Sequence, residues 1–460
     1  MLNSEIRKIV EFQNTKWVCA GQKTDVEIEH IIEKAISDYK SKNIDFTKFE
    51  NLKLKQNGRE REVKQYSEWS SELFFCIYLK RCLDKEFRVQ YPNRNEHIHL
   101  LFGAISSIRD MKDYVIVKFD FEDFFNSISS GYMYEKYISN SRLQRFQKDI
   151  FKDFVSKCPY CYAGINTSNV MAEIVCEQFD NLIRNYFYDR GLVFYKRYVD
   201  DGILIFNRYI SDAESLEIIK KAIQNSFYDD SINNSNQCNT RLNTSNGKYK
   251  YISKRTVDTD PNIIHRFNYL GYQFDLNANV NGRGVILNTA ITYGITDVKI
   301  QKYTRRIEKI VDEYSIDNDM ELFRHRIRAF CCRTVYRRKK DSTMLWKVKG
   351  FISNYNELRY HMAQLDPVTE DFLKNGIVKI FDVKGIAKPY FLKDTSNKSP
   401  YSIYNTLSIN RTLLFEENER IGIGLETLKN MCCQVGITIQ PDKTYYSLLR
   451  EYLITIRVGH

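Results

Sequence analysis

Apolar positions follow three successive patterns along the chain. Through residues 1–90 they recur at helical spacing, most clearly over Glu27–Tyr39 and Glu68–Leu83, which predicts a mostly helical start. Residues 113–120, DYVIVKFD, alternate and are rich in β-branched side chains, the pattern of a strand. Asn169–Arg190 places Met171, Ile174, Val175, Phe179, Leu182, Ile183 and Tyr186 on one helical face, with Gly191 as the stop. Two short apolar runs, Leu192–Tyr198 and Ile203–Phe206, then flank Val199-Asp200-Asp201-Gly202. That arrangement predicts a hairpin with acidic residues and glycine in its turn. Residues 228–248 are rich in Asn and Ser and read as a turn-laden loop, and Tyr269–Phe274 reads as a further strand.

From about residue 297 the helical period returns. Ile300, Tyr303, Ile307 and Ile310 form an apolar stripe, and Lys302, Arg305, Arg306 and Lys309 lie off it. The remainder is mixed but mainly helical, with a loop expected around Asp394–Pro400. The predicted class is α+β: a helical start, a mixed centre with an antiparallel sheet, and a basic helical end.

Composition narrows this picture. The 460 residues leave room for roughly two to four domains with real cores. Hydrophobic residues make up 43% and charged residues 28%, ordinary for a soluble globular chain. MLNSEIRKIVEFQNTKW has no apolar core of a secretory signal, and no run of about eighteen apolar residues occurs, so no membrane span is expected. Eleven cysteines, an odd number that includes the adjacent pairs Cys331-Cys332 and Cys432-Cys433, fit a reduced cytoplasmic protein better than a disulfide scaffold. The net charge is +11, and Lys299–Lys349 holds fifteen Lys/Arg against seven Asp/Glu. So focused a segment suits either a polyanionic partner or a solvated face.

The chemistry lies in carboxylates. Asp120 ends the strand VIVKFD, and Asp200 and Asp201 occupy the tight turn. Adjacent aspartates repel unless a cation neutralises them. If the strands are neighbours, three carboxylates converge on one sheet edge. Hard oxygen ligands of this kind suit Mg²⁺. Two such ions about 4 Å apart clamp the attacking and leaving oxygens of a phosphoryl transfer. Alone, an Asp-Asp-Gly turn is more often structural.

Four motifs taken together resemble those of reverse transcriptases. FDFEDFFNSI (119–128) resembles the first palm motif, AGINTSN (163–169) the second, YVDD (198–201) the signature turn and FNYLGY (267–272) the primer grip. They stand in the family order and span about residues 90–275. The resemblance implies a right-hand polymerase: an N-terminal helical segment and fingers over 1–112, a palm over 113–296, and a mainly helical thumb-like region over 297–460. It implies Asp120, Asp200 and Asp201 as ligands of two Mg²⁺ ions, Mn²⁺ being a possible substitute, with the Phe121 carbonyl as a further ligand. Asp123 and Phe124 would line the triphosphate. Phe125 would lie beneath the incoming sugar and exclude a 2′-hydroxyl, which favours a DNA product. Gly164 would let the backbone approach the nascent base pair.

The chain also departs from the family pattern. Tyr162-Ala163 stand where Pro-Gln is common, and Asn166 where a proline is expected. Leu-Asn-x-x-Lys-Thr becomes Leu242-Asn243 with its lysine displaced to Lys248, the first choice to protonate pyrophosphate, with Lys250 in reserve. Arg94 in YPNRNE is the best basic contact to the triphosphate, followed by Arg109. Lys302, Arg305, Arg306 and Lys309 would face the phosphate backbone of the nucleic acid.

Other signals carry less. Cys158-Pro159-Tyr160-Cys161 lacks the strand-to-helix context of a redox motif, and His97 and His99 read as one face of a short strand. Ile421-Gly422-Ile423-Gly424 is too short for a nucleotide loop. No integrase, ribonuclease H or HNH segment is recognisable, and the Val-Thr-Gly signature of retrons is missing. What remains resembles bacterial reverse transcriptases of the abortive-infection and defence-associated type. That implies an RNA template, a dedicated non-coding RNA as a possible partner, deoxynucleoside triphosphates, a DNA product, antiphage defence, and a homo-oligomer as no surprise. A group II intron-type maturase and a catalytically idle, RNA-binding palm are the alternatives.

Overall fold

The computed structural model describes residues 2–14, 23–56, 59–340, 343–393 and 399–457. Most of the loop expected at 394–400 therefore lies outside the described residues. The fold is α+β, in two compact units, Met1–Pro261 and Asn262–His460. Among the described residues no helix is long and apolar enough to cross a membrane.

The first unit opens with helices α1 (Leu2–Asn14) and α2 (Asp25–Lys40). A capping box starts α2, with Thr24 and Glu27 each accepting from the other's backbone N–H. A hairpin then intervenes where helix was expected: β1 (Phe49–Gln56) pairs with β2 (Arg59–Tyr66), Leu52 opposite Val63. Its charged alternation gives no helical stripe, and Asn57-Gly58 is the dipeptide that short hairpins favour. Helices α3 (Ser71–Glu86) and α4 (Arg94–Ile108) follow. His97 and His99 therefore lie on a helix, not a strand, because Asn93 caps α4 through the N–H groups of Asn95 and Glu96.

The centre is a five-stranded antiparallel sheet. It contains β3 (Val115–Glu122), β4 (Leu192–Tyr198), β5 (Asp201–Phe206), β6 (Arg241–Leu242) and β7 (Lys250–Ser253). The order runs β4-β5-β3, and β3 then pairs β6 at one end and β7 at the other. Short helices α5 (Phe124–Ser127) and α6 (Ser130–Met133) lead to α7 (Arg145–Lys157), α8 (Ser168–Phe187), α9 (Asp212–Phe227) and α10 (Lys254–Thr259). Phe119 and Phe121 of β3 point to the α8 side, where Phe121 meets Phe179 at 5.2 Å and Phe227 at 5.9 Å between ring centroids. Each such buried ring contributes roughly 1.5–3 kcal/mol, so this aromatic cluster fixes the strand's orientation.

The second unit begins with a three-stranded sheet of β8 (His265–Tyr269), β9 (Tyr272–Val280) and β10 (Ile286–Ile295). The strand expected over Tyr269–Phe274 is interrupted by the turn Leu270-Gly271, whose φ values are 49° and 86°. Two successive positive φ values are the signature of a two-residue hairpin. Helices α11 (Asp297–Asp317) and α12 (Met320–Cys331) come next. Ile307 and Ile310 of α11 are buried, as the apolar stripe requires.

The basic stretch after α12 is not helical. It forms β11 (Arg333–Lys340) and β12 (Thr343–Lys349), with β13 (Thr412–Phe415) parallel to β11. Thr334, Val335, Tyr336, Thr343 and Val348 suit a pleated surface better than a helix. The unit also contains α13 (Phe351–Asn354), α14 (Pro367–Lys384), α15 (Ile403–Ser408), α16 (Leu425–Gln434) and α17 (Tyr445–Thr455).

Candidate active site

Strand alternation decides what faces what on β3. Asp120 and Lys118 share one face, and Phe119 and Phe121 the other. In the β3–β5 ladder Asp120 stands directly opposite Asp201. The β4–β5 hairpin closes through Tyr198 and Asp201, leaving Val199 and Asp200 as a two-residue turn. Val199 has φ 59°, a position where glycine is the usual residue and a β-branched side chain is strained. Such strain persists only when the surroundings over-determine it.

Two hydrogen bonds supply that constraint. The Phe121 N–H donates to the Asp200 carbonyl at 3.3 Å. From behind, the Arg197 guanidinium donates to the Val199 carbonyl at 2.7 Å. Arg197 is itself buried between Glu173 (2.7 Å) and Asp180 (3.0 Å) of α8. Gly202, one residue beyond the acidic pair, is required by packing, since a Cβ there would stand 2.1 Å from the Phe119 ring.

Three carboxylates thus gather at one edge of the sheet, and their electrostatics show it. Burial, with Asp201 and Asp120 nearby, pushes the Asp200 carboxyl up to about 6. Burial also raises Asp120, with Asp201 adding to the shift against the pull of Lys248 and Lys118. Two ammonium groups stand beside the acids. Lys248 Nζ donates to Asp120 Oδ2 at 2.7 Å, and Lys118 Nζ lies 3.1 Å from Asp201 Oδ1. Burial alone would lower the Lys248 ammonium, but the hydrogen bond to Asp120 and the surrounding carboxylates raise it.

The donor set is chemically suited to a hard divalent cation. Among the described residues, however, no three His, Cys, Asp or Glu side chains are gathered closely enough to hold one as they stand. The two lysines take the place of cations at Asp120 and Asp201.

The remaining expected residues are distributed as follows. Phe121 is buried and stacks on Phe124 at 5.1 Å, and Phe125 is half-buried, 5.4 Å from Phe124. Asp123 is exposed, with φ 41°, and its Oδ1 accepts from Asn126 at 2.8 Å. Gly164 has φ 97°, and a Cβ there would meet the Lys64 carbonyl at 2.5 Å. The neighbouring Ala163 carbonyl accepts from the Lys64 N–H at 2.8 Å. This accounts for the departure at Tyr162: its ring lies 3.2 Å beneath the Lys64 ammonium and 5.8 Å from Phe49. The loop is tied to the β1–β2 hairpin through these contacts.

Arg94 opens α4, and one turn on the His97 ring packs 6.2 Å from Tyr198 of the signature turn. Arg109 caps the opposite end of that helix. Lys250 pairs across from Lys118 on β7 and is exposed. In the second unit, Lys302, Arg305 and Lys309 are exposed on α11. Arg306 departs from the expected face, because it is half-buried over the Phe330 ring at 5.7 Å, where burial lowers its pKa. Burial also pushes the Cys158 thiol up to about 11 and raises Cys161, as suits a packed pair and not a reactive one.

Sequence reading missed Lys118, Lys64 and the Arg197–Glu173–Asp180 group. Lys118 had a signal, since it shares the face of Asp120 in a strand otherwise apolar. Glu173 and Asp180 had one too, seven residues apart near the apolar face of α8.

No family model matches the chain, and no curated protein matches it. Among solved structures that match is telomerase from Candida Tropicalis in complex with a TWJ fragment of telomeric RNA. It has a TM-score of 0.32 and 10% sequence identity, over 93% of this chain and 68% of that one. At that score the likeness adds nothing to the geometry above.

Proposed function

We propose that the chain is an RNA-directed DNA polymerase of the reverse-transcriptase type, acting by two-metal-ion nucleotidyl transfer. The observation that carries this reading is the meeting of Asp120, Asp200 and Asp201 at one sheet edge, on a strained turn held by Phe121 and Arg197. The order of the four motifs supports it, with 113–296 as palm around the central sheet, β1–β2 as part of the fingers and 297–460 as thumb-like.

In this reading Asp120, Asp200 and Asp201, with the Phe121 carbonyl, would hold two Mg²⁺ ions, and Mn²⁺ could substitute. When bound, the ions supply positive charge that activates a 3′-hydroxyl and stabilises the departing pyrophosphate. The protein's own groups do the rest. Lys248, which donates to Asp120, stands beside the site as a proton donor to the leaving group. Arg94 and Lys64 offer positive charge toward the triphosphate. Asp123 and Phe124 line the nucleotide, Gly164 admits the nascent pair, and Phe125 excludes a 2′-hydroxyl. The exposed Lys302, Arg305 and Lys309 hold the phosphate backbone. By resemblance to abortive-infection enzymes, the biological role is antiphage defence in the cytoplasm, with a dedicated RNA and self-association as further elements of the reading.

One observation favours a second reading, an RNA-binding palm without chemistry. Lys118 and Lys248 already offset two of the three carboxylate charges, so the acids persist without a metal to neutralise them. Primer extension separates the two readings. Purified full-length protein with Mg²⁺ or Mn²⁺, RNA template, DNA primer and deoxynucleoside triphosphates should extend the primer. Asp200→Ala and Asp201→Ala should each lower the rate by about a hundredfold or more, since each removes transition-state stabilisation. No extension by the wild-type protein, or variants that keep more than about a tenth of its rate, would leave the RNA-binding reading standing.

A further inference from the structure

A dense run of positive charge lies in the second unit. From Arg333 to Lys349 the chain carries seven Lys/Arg against one Asp, a net +6 of the protein's +11. This stretch is the β11–β12 hairpin. β13 pairs β11 on its other side, so β12 is the edge strand of that three-stranded sheet.

The two faces of the hairpin differ. Thr334 and Tyr336 share a face with Leu413 and Phe415 of β13, which belong to a core with Leu428, Leu448 and Tyr452. The opposite face carries Val335, Arg337, Trp346 and Val348, while Lys347 and Lys349, paired with Tyr336 and Thr334, lie on the first face but are exposed along the edge strand. There Trp346 is 48% exposed and Val348 42%. The Arg337 guanidinium lies 4.7 Å from the centre of the Trp346 indole and is held by Glu416 at 2.9 Å. A half-exposed indole already carrying a guanidinium, on an edge strand that also exposes Lys347 and Lys349, combines a stacking surface with counter-charges for phosphates.

An exposed edge strand is also a template for pairing with a second copy. Charge decides against that occupant: two such hairpins edge to edge would bring two clusters of +6 together. We propose that the β11–β12 hairpin is a binding surface for single-stranded nucleic acid. Trp346 stacks on a base beside Arg337, and the exposed Lys347 and Lys349 meet the phosphates where the strand passes over the sheet edge. The inference rests on the charge and exposure of this hairpin and does not need the carboxylates to be catalytic.

The test uses full-length protein and a fluorescent single-stranded RNA of about twenty nucleotides, read by anisotropy at several salt concentrations. A duplex of the same sequence is the control. Trp346→Ala should weaken single-strand binding about ten- to hundredfold, the range of one base–aromatic stack, and leave duplex binding much less affected. Trp346→Phe should keep most of the affinity, which a general loss of folding would not. Lys347→Gln with Lys349→Gln should flatten the slope of log affinity against log salt by about one to two units. Asp200→Ala should bind like wild type, so a failure of the polymerase reading leaves this result intact. Unchanged affinity and slope in the hairpin variants would overturn the proposal. A fall in mass by light scattering with RNA binding unchanged would overturn it too, and would assign the strand to a second copy of the chain.

Discussion

A lysine inside an apolar strand is unfavourable unless its ammonium finds an anion, and Lys118 finds Asp201. With Lys248 on Asp120, that leaves Asp200 as the acid with no ammonium against it in this pair of contacts, and burial beside two like charges pushes it up to about 6. Replacing that charge should therefore stabilise the protein. Asp200→Asn is expected to melt a few degrees higher than wild type in EDTA at pH 8, a gain on the order of 1 kcal/mol. The sign follows from linkage: the folded-state pKa lies above the unfolded value, so ionisation penalises the folded state. The penalty is complete above about 6 and absent below the ordinary value of 3.8, and the gap in Tm should close over that window. A lower Tm for the variant at pH 8 would contradict the electrostatic account. The three aspartates were legible in the sequence because a strand end and a tight turn are local patterns. Lys118 was signalled only by its place on the Asp120 face, because alternation marks which residues share a face but not which face is covered.

At the scale of elements, α8 supports the turn. Its Glu173 and Asp180 grip Arg197, which grips the Val199 carbonyl. Arg197→Met is expected to destabilise the protein by about 3–5 kcal/mol, the usual consequence of stripping one partner from a buried charged group. Denaturant unfolding measures it, and a loss below about 1 kcal/mol would mean the carboxylates find other partners. The same scale explains which elements could be read in advance. α8 and the β4–β5 hairpin carry clean periods bounded by Gly191 and by the acidic turn. The hairpins at 49–66 and 333–349 do not, since both alternate largely through charged residues whose polar faces look alike. Arg306 shows the limit of a helical wheel: it lies off the apolar stripe, yet Phe330 from the next helix covers it.

At the scale of the whole molecule, the division falls after Pro261, and β8–β10 belong with the second unit. Their attachment there is visible only in three dimensions: the Asp366 N–H donates to the Tyr293 carbonyl at 2.9 Å, and the Ile295 N–H to Thr369 Oγ1 at 2.8 Å. A change of period at 297 gives no hint of bonds to residues seventy positions on. Asn262, Ile263 and Ile264 are exposed at the junction. Limited proteolysis should therefore cut early near this point, since exposed connections are preferred sites of nicking. Mass spectrometry should find a fragment starting close to Asn262, and early cuts confined to other loops would count against a junction here. The Arg197 group also restricts how such a chain can vary through descent. Loss of the arginine alone strands two half-buried acids, and loss of either acid alone weakens the hold on a strained turn. Single-step neighbours of the present sequence at these positions are therefore poorly folded, while a concerted change of all three to well-packed apolar residues is not. Positions 173, 180 and 197 should drift as one character, fixed together or exchanged together, even where the surrounding helix and strand diverge freely.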